Sequence, residues 1–280
     1  MSCLDALNPT SLDTLCAALC YAIDIEPPKH AAAPNEDLVR FVDESFGGKK
    51  CDRLFMYNPD AVAQWLFEKY EYLFQEVMDR SQLQLPLRSP MPPVTPVCFG
   101  TMYTGAQPEV HGIQKYTKPV ITIDTFFDAL LRAGKRVVIQ AVGSTCSMSR
   151  IFLERNMDYR IYENLDDLNA ETMRMIAEDQ YDVIICYNGN YDFRMHKFGP
   201  ESTRSLAEIR CNTRYYALFH NLINHYWKGH NTLMGFAMDH GCHNSNFYHK
   251  EKLYLGDHGD ETPEDMNILH FYSAIPGENC

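Results

Sequence analysis

The chain has 280 residues, 45% hydrophobic and 22% charged, which is an ordinary globular balance with apolar mass for a sizeable core. A formal net charge of −12, with no cluster of Lys and Arg, argues against nucleic acid as the main partner. No run approaches the ~20 apolar residues of a membrane span, the opening MSCLDALNPTSLD has neither a basic nor a long apolar stretch, and the ten scattered cysteines form no C-x-x-C pair; a soluble, cytoplasmic protein with reduced thiols is expected.

SLDTLCAALCYAI places Leu12, Leu15, Leu19 and Ala22 near one face and predicts a helix, with Thr10 or Ser11 to cap it. EPPKHAAAPNED is a loop by its prolines, and NEDLVRFVDESFGG predicts a short helix closed by Gly47 and Gly48. Residues 1–48 are expected to be a helical extension packed on a single domain spanning 1–280. CDRLFMY predicts a strand, AVAQWLFEKYEYLFQEVMDR a long amphipathic helix, and LPLRSPMPPVTP an extended or turning segment. Thr95-Pro96 signals a helix start, with threonine as cap and proline at the first turn. Next come the helix DTFFDALLRAG, the strand KRVVIQAV, the helix DDLNAETMRMIAED and the buried strand YDVIICYN. ESTRSLAEIRCNTRYYALFHNLINHYW is one or two helices, and TLMGFAM and NILHFYSAI are the last strands.

Strands alternating with helices predict a three-layer α/β/α sandwich with a mostly parallel central sheet. Such sheets bind ligands beyond the carboxyl ends of their strands. Asp60 follows CDRLFMY, Asp192 follows YDVIICYN with His196 four residues on, and Asp239-His240 ends TLMGFAM. His258, in LGDHGDE, is a further candidate. Each has a plainer reading: Asp60 as a helix cap, Asp192 and His196 as a solvated i, i+4 pair, His258 as a turn residue. Three carboxylates delivered to one sheet edge favour a site. Without cations they would repel and raise each other's pKa; two divalent cations neutralise them and leave room for an anion. Mixed Asp/His ligation suits zinc, and manganese or another transition ion fits as well. Thr95, at a helix N-terminus, sees the positive end of the dipole and is the candidate nucleophile. Cys98 shows no adjacent base for a cysteine mechanism, and His111, His220, His225 and His230 are read as structural or surface residues.

These motifs, in this order, resemble the alkaline phosphatase superfamily, nearest to the nucleotide pyrophosphatases/phosphodiesterases. In that branch a catalytic Thr stands nine residues before T-G, which runs on to P-x-x-H-G-I; here Thr95 precedes Thr104-Gly105, followed by AQPEVHGI. The family's D-x-x-G-H-x-x-G-P is DFRMHKFGP, its D-H-G is Asp239-His240-Gly241, and its final H-G is His258-Gly259. The resemblance covers roughly residues 50 to 275 and implies an alkaline phosphatase-like fold. It also implies one metal held by Asp192, His196 and His258, and another held by Asp60, Asp239, His240 and the Thr95 oxygen. Thr95 would attack a small phosphorylated substrate, giving a phosphothreonine that water hydrolyses. Diester or pyrophosphate cleavage is the first expectation; phosphomonoester or phosphonate hydrolysis, or binding without turnover, are the alternatives. Three positions depart from the family: Ala61 stands for the glycine after the first aspartate, Met195 for the motif glycine, and Cys98 for a phosphate-binding asparagine. A thiol is a weak donor, so phosphate contacts pass to backbone N–H groups, a cation, or side chains such as Asn188 or Asn190. The helices before residue 50 and the segment 140–160 are expected to shape the pocket. Homo-oligomerisation is left open.

Overall fold

The computed structural model describes residues 3–144, 146–249 and 251–278. Its nine strands are β1 (Arg53–Pro59), β2 (Leu83–Arg88), β3 (Val137–Val142), β4 (Asp158–Tyr162), β5 (Val183–Asn188), β6 (Thr232–Phe236), β7 (His243–His249), β8 (Lys252–Asp257) and β9 (Asn267–Ile275). The helices are α1 (Thr14–Ala22), α2 (Glu36–Ser45), α3 (Gln64–Lys69), α4 (Gln75–Met78), α5 (Thr95–Thr104), α6 (Pro108–His111), α7 (Phe126–Arg132), α8 (Met148–Ile151), α9 (Leu165–Glu178), α10 (Asn190–Phe198), α11 (Thr203–Tyr226) and α12 (Pro263–Met266).

Seven strands form one sheet in the order β2-β9-β6-β1-β5-β3-β4. β1 pairs in parallel with β5 and β6, and β3 in parallel with β4 and β5, while β9 runs antiparallel to β6 and β2. β1, β5 and β6 are buried almost end to end, as the unbroken apolar runs require when helices cover both faces. Alternation along β1 shows the two outer layers. Phe55 and Tyr57 meet Phe219 of α11, at ring separations of 5.6 and 6.0 Å. Asn58 faces the other way and accepts from Tyr103 Oη of α5 at 2.7 Å. Helices α9 and α11 therefore cover one face, and α5 with α1 and α7 the other. The expected α/β/α sandwich is present.

One local expectation is corrected and others are made definite. The long helix after β1 is broken into α3, a 3₁₀ turn at Glu71–Leu73, and α4. Tertiary contacts decide this: Tyr70 Oη reaches Glu201 Oε1 at 2.6 Å, Thr213 Oγ1 donates to Leu73 O at 3.0 Å, and Phe67 and Phe74 both pack on Phe271. Asp60 caps no helix, since α3 begins after Ala63. LPLR of the Pro-rich segment is extended as the last part of β2, and its Pro86 is tolerated because β2 lies at the sheet edge. The long segment before TLMGFAM is the single helix α11. Nine cysteines are free among the described residues, and no described helix is long and apolar enough to cross a membrane.

Candidate metal centre

Three central strands deliver the acidic residues. β1 and β5 are in register up to Pro59↔Asn188, so Asp60 and the start of α10 leave the sheet side by side. β6, on the other flank of β1, leads into Asp239 and His240. Ser89 Oγ donates to Asp239 O at 2.6 Å, and His270 Nε2 lies 2.6 Å from Met238 O, so β9 and the end of β2 fix that turn. The β7–β8 hairpin brings His258 back onto the site.

The result is two triads whose ligand-type atoms lie within 4.8 Å of one another: Asp60, Asp239 and His240, and Asp192, His196 and His258. They are neighbours, with the His240 and His258 rings 4.1 Å apart and the His196 and His258 rings 4.9 Å apart. The first triad is wholly interior, Asp60 being 2% exposed and Asp239 and His240 0%. Thr95 Oγ1 lies 3.3 Å from His240 Nε2 and 3.5 Å from Asp60 Oδ2. Thr95 is the first residue of α5 rather than its cap, which is Val94, so its hydroxyl is turned to the triad.

The histidines are oriented in one way. Their Nδ1 atoms face backbone carbonyls: His196 meets Gly256 O at 2.9 Å, His240 meets Gly241 O at 2.9 Å, and His258 meets Pro93 O at 3.2 Å. A carbonyl only accepts, so each Nδ1 carries a proton, and in the neutral imidazole each Nε2 presents a lone pair. Those lone pairs converge on carboxylate oxygens: His240 Nε2 lies 3.3 Å from both Asp60 Oδ1 and Asp239 Oδ2, while Asp192 Oδ1 lies 3.2 Å from His196 Nε2 and 3.3 Å from His258 Nε2. None of these three carboxylate oxygens has a hydrogen-bond partner among the described residues. Buried acceptors left without donors are costly, and acceptors aimed at one point are what a cation satisfies. The donor set fits divalent cations of the zinc type.

Taken without cations, the cluster gathers protons instead. Burial, and then Asp60, push the Asp239 carboxyl well above the ordinary range. Burial opposes a charged His240, but Asp239 and Asp60 outweigh it and lift the imidazole to about 10. Asp192 likewise overcomes burial at His196 and raises it to about 9. A third group, His243, Asp260 and Asp265, differs in kind: His243 Nδ1 lies 2.7 Å from Asp265 Oδ1, and Asp265 Oδ2 accepts from Asp260 N at 2.9 Å, so its atoms satisfy one another.

The expected phosphate contacts fare differently. Asn188 is 1% exposed and is consumed by the core: Nδ2 donates to Tyr57 Oη at 2.8 Å and Asn212 Oδ1 at 2.6 Å, and Oδ1 accepts from Asn190 N at 3.0 Å. It has no group left for a substrate. Cys98 is buried beneath the site, and burial, then Asp239 and Asp60, hold its thiol protonated. Asn190, half-buried at the start of α10, is the remaining candidate. One residue was not foreseen: Tyr187 Oη donates to Asp60 Oδ2. Its place, next to last in the segment YDVIICYN, is visible in the sequence, but only its burial can be read from it.

No family model and no curated protein sequence matches the chain. Solved structures share the fold. An inactive variant of murine ectonucleotide pyrophosphatase/phosphodiesterase 5, in complex with AMP, superposes with a TM-score of 0.61 at 12% identity, covering 79% of this chain and 88% of that one. The human counterpart gives a TM-score of 0.59 at 11% identity over 80% and 88%. Phosphonoacetate hydrolase from Sinorhizobium meliloti 1021, in complex with phosphonoformate, gives 0.52 at 15% identity over 72% and 60%.

Proposed function

We propose that this protein is a two-metal-dependent phosphoric ester hydrolase acting through a phosphothreonine on Thr95, with diester or pyrophosphate bonds as its targets. One observation carries the reading: two neighbouring Asp/His triads turn every Nε2 and an orphaned oxygen of each aspartate inward, and a threonine hydroxyl stands beside the Asp60 triad. Asp192, His196 and His258 would hold one cation, and Asp60, Asp239, His240 and Thr95 Oγ1 the other. Bound there, the cations neutralise the carboxylates, favour the ionised hydroxyl and stabilise charge on the attacking and leaving oxygens.

The remaining steps belong to the chain. Thr95 Oγ1 attacks phosphorus in line; the Thr–O–P bond forms as the bond to the leaving oxygen breaks. Water then cleaves the phosphothreonine and returns the hydroxyl. Tyr187 holds Asp60 in place by its hydrogen bond, and burial of the Asp60 triad keeps bulk water from the nucleophile. With Asn188 and Cys98 engaged elsewhere, phosphate oxygens rely on the cations, on the Thr95 amide at the start of α5, and on Asn190.

The test is hydrolysis of bis-p-nitrophenyl phosphate against p-nitrophenyl phosphate by zinc- or manganese-loaded protein, for wild type and Thr95→Ala. Diester turnover lost in T95A supports the reading. A monoester preference moves the protein to the phosphomonoesterases. No turnover by a fully metal-loaded sample leaves a phospho-ligand-binding protein.

A further inference from the structure

Beside the second triad the surface opens into a cleft of about 500 Å³ between α10 and the β7–β8 hairpin. That size lies within the range of small-molecule sites. Asp192 and His196 form part of its lining, so the cleft runs directly into the candidate metal centre. Phe193 and Tyr254 supply aromatic surface, and Lys197 and Lys252 supply positive charge. Tyr254 is held as a rigid wall: Phe247 stacks on it at 5.3 Å with 17° between the planes, and its ring meets His196 at 5.6 Å and 75°. Phe193 is 60% exposed, a large apolar ring left open at the mouth of a site. Neither lysine takes part in an ion pair among the described residues, although the chain as a whole carries a net charge of −12.

The position of Thr95 tells which part of a substrate would lie here. The hydroxyl stands with Asp60, Asp239 and His240. In-line displacement puts attacking and leaving oxygens on opposite sides of phosphorus, each facing its own half of a two-ion site. The Asp192 half, and the cleft that opens from it, are therefore left to the departing group. We propose that this cleft is the leaving-group pocket, and that it selects a planar aromatic or heteroaromatic group bearing a negative charge of its own, the ring lying against Tyr254 and Phe193 and the charge meeting Lys197 and Lys252. This rests on the two-metal hydrolase reading above and adds the substrate class to it.

The test uses binding, so it does not depend on turnover. Phenylphosphonate and 3-carboxyphenylphosphonate are titrated calorimetrically into zinc-loaded protein whose metal content has been measured. The carboxylated probe is expected to bind about tenfold or more tightly than the plain one, as two added charge-assisted contacts at a partly exposed site would give. In Lys197→Gln/Lys252→Gln the ratio falls to about one, and Tyr254→Ala weakens both probes. Equal affinities in the wild type, or a ratio unchanged in the double variant, overturn the pocket assignment, as does failure of both probes to bind a fully metal-loaded sample. A chain that takes up no zinc, or an active Thr95→Ala, overturns the hydrolase reading instead, so the two failures are distinct.

Discussion

Gly256→Ala probes how the outer shell of the centre is built. The resembled motif has glycine at position 195, where this chain carries a fully buried Met195. The room is recovered across the contact, at Gly256 of β8. A Cβ added there would lie 2.6 Å from Met195 Sδ, 2.7 Å from Met195 O and 2.9 Å from Pro200 Cδ. The thioether can swing aside; the carbonyl and the proline ring cannot. Ordinary separation from the carbonyl requires β8 to retreat from α10 by about 0.7 Å. Gly256 O is also the acceptor for His196 Nδ1–H, at 2.9 Å. The same retreat stretches that contact to about 3.6 Å, beyond hydrogen-bond range. Overpacking of this kind costs about 1–3 kcal/mol. Losing the partner that orients a metal-binding histidine costs about 10–100-fold in metal affinity. Urea unfolding and zinc competition with a chromophoric chelator should therefore show both losses in the variant, with the secondary structure kept. Adding Met195→Ala should restore only part, because the backbone carbonyl remains in the way. Zinc affinity within about twofold of wild type, well short of that loss, would refute the reasoning.

Further outcomes follow from the same geometry. Two cations held at about 100 times their Kd together add roughly 5 kcal/mol of stability, so chelation should lower Tm by about 10 °C for a chain of this size; an unchanged melting curve would count against metal binding. Asp192→Ala should empty the Asp192 triad before the Asp60 triad, read as a loss of about one of two metal equivalents by elemental analysis. His270 is wholly buried, and burial lowers its imidazole to about 4. Its folded pKa lies below the unfolded value, so the unfolded chain binds the extra proton between pH 6.5 and 4, and stability is lost as pH falls through that window. Relative to His270→Gln, wild type should lose up to about 1.4 kcal/mol per pH unit there; parallel stability profiles would sink the assignment. Ala61 is buried with φ of +61°, where the resembled motif has glycine. Ala61→Gly should change stability by less than about 1 kcal/mol, relief of left-handed strain offsetting the freer unfolded chain, whereas Ala61→Val should cost well over that, by urea unfolding.

What the chain declares locally and what it hides separate along physical lines. β1, β5 and β6 are short apolar runs, each followed within four residues by an aspartate, and the rule that parallel sheets present ligands at their carboxyl ends was enough to gather Asp60, Asp192 and Asp239. β4 and β8 are invisible in the sequence because neither shows the alternation of a half-buried strand and Gly256 is their one buried residue. With β8 went the cleft: the pocket wall was expected from the first helices and from residues 140–160, yet the cleft at the Asp192 triad is lined from α10 and β8. Asn188 looked available because an asparagine beside a site reads as a donor; its loss to Tyr57 and Asn212 depends on partners 131 and 24 residues away.

The histidine tautomers mark the limit most sharply. Each of His196, His240 and His258 can offer only Nε2 to a cation, because each Nδ1–H is taken by a main-chain carbonyl. Those carbonyls belong to Gly256, Gly241 and Pro93, and any residue would supply the same oxygen. No choice of side chain at the acceptor encodes the tautomer. It is set by where the backbone runs, and so by the packing of β8 on α10 and of the 93–95 turn beneath His258. Spacing can nominate a histidine as a ligand, but the backbone around it decides which nitrogen is free to bind.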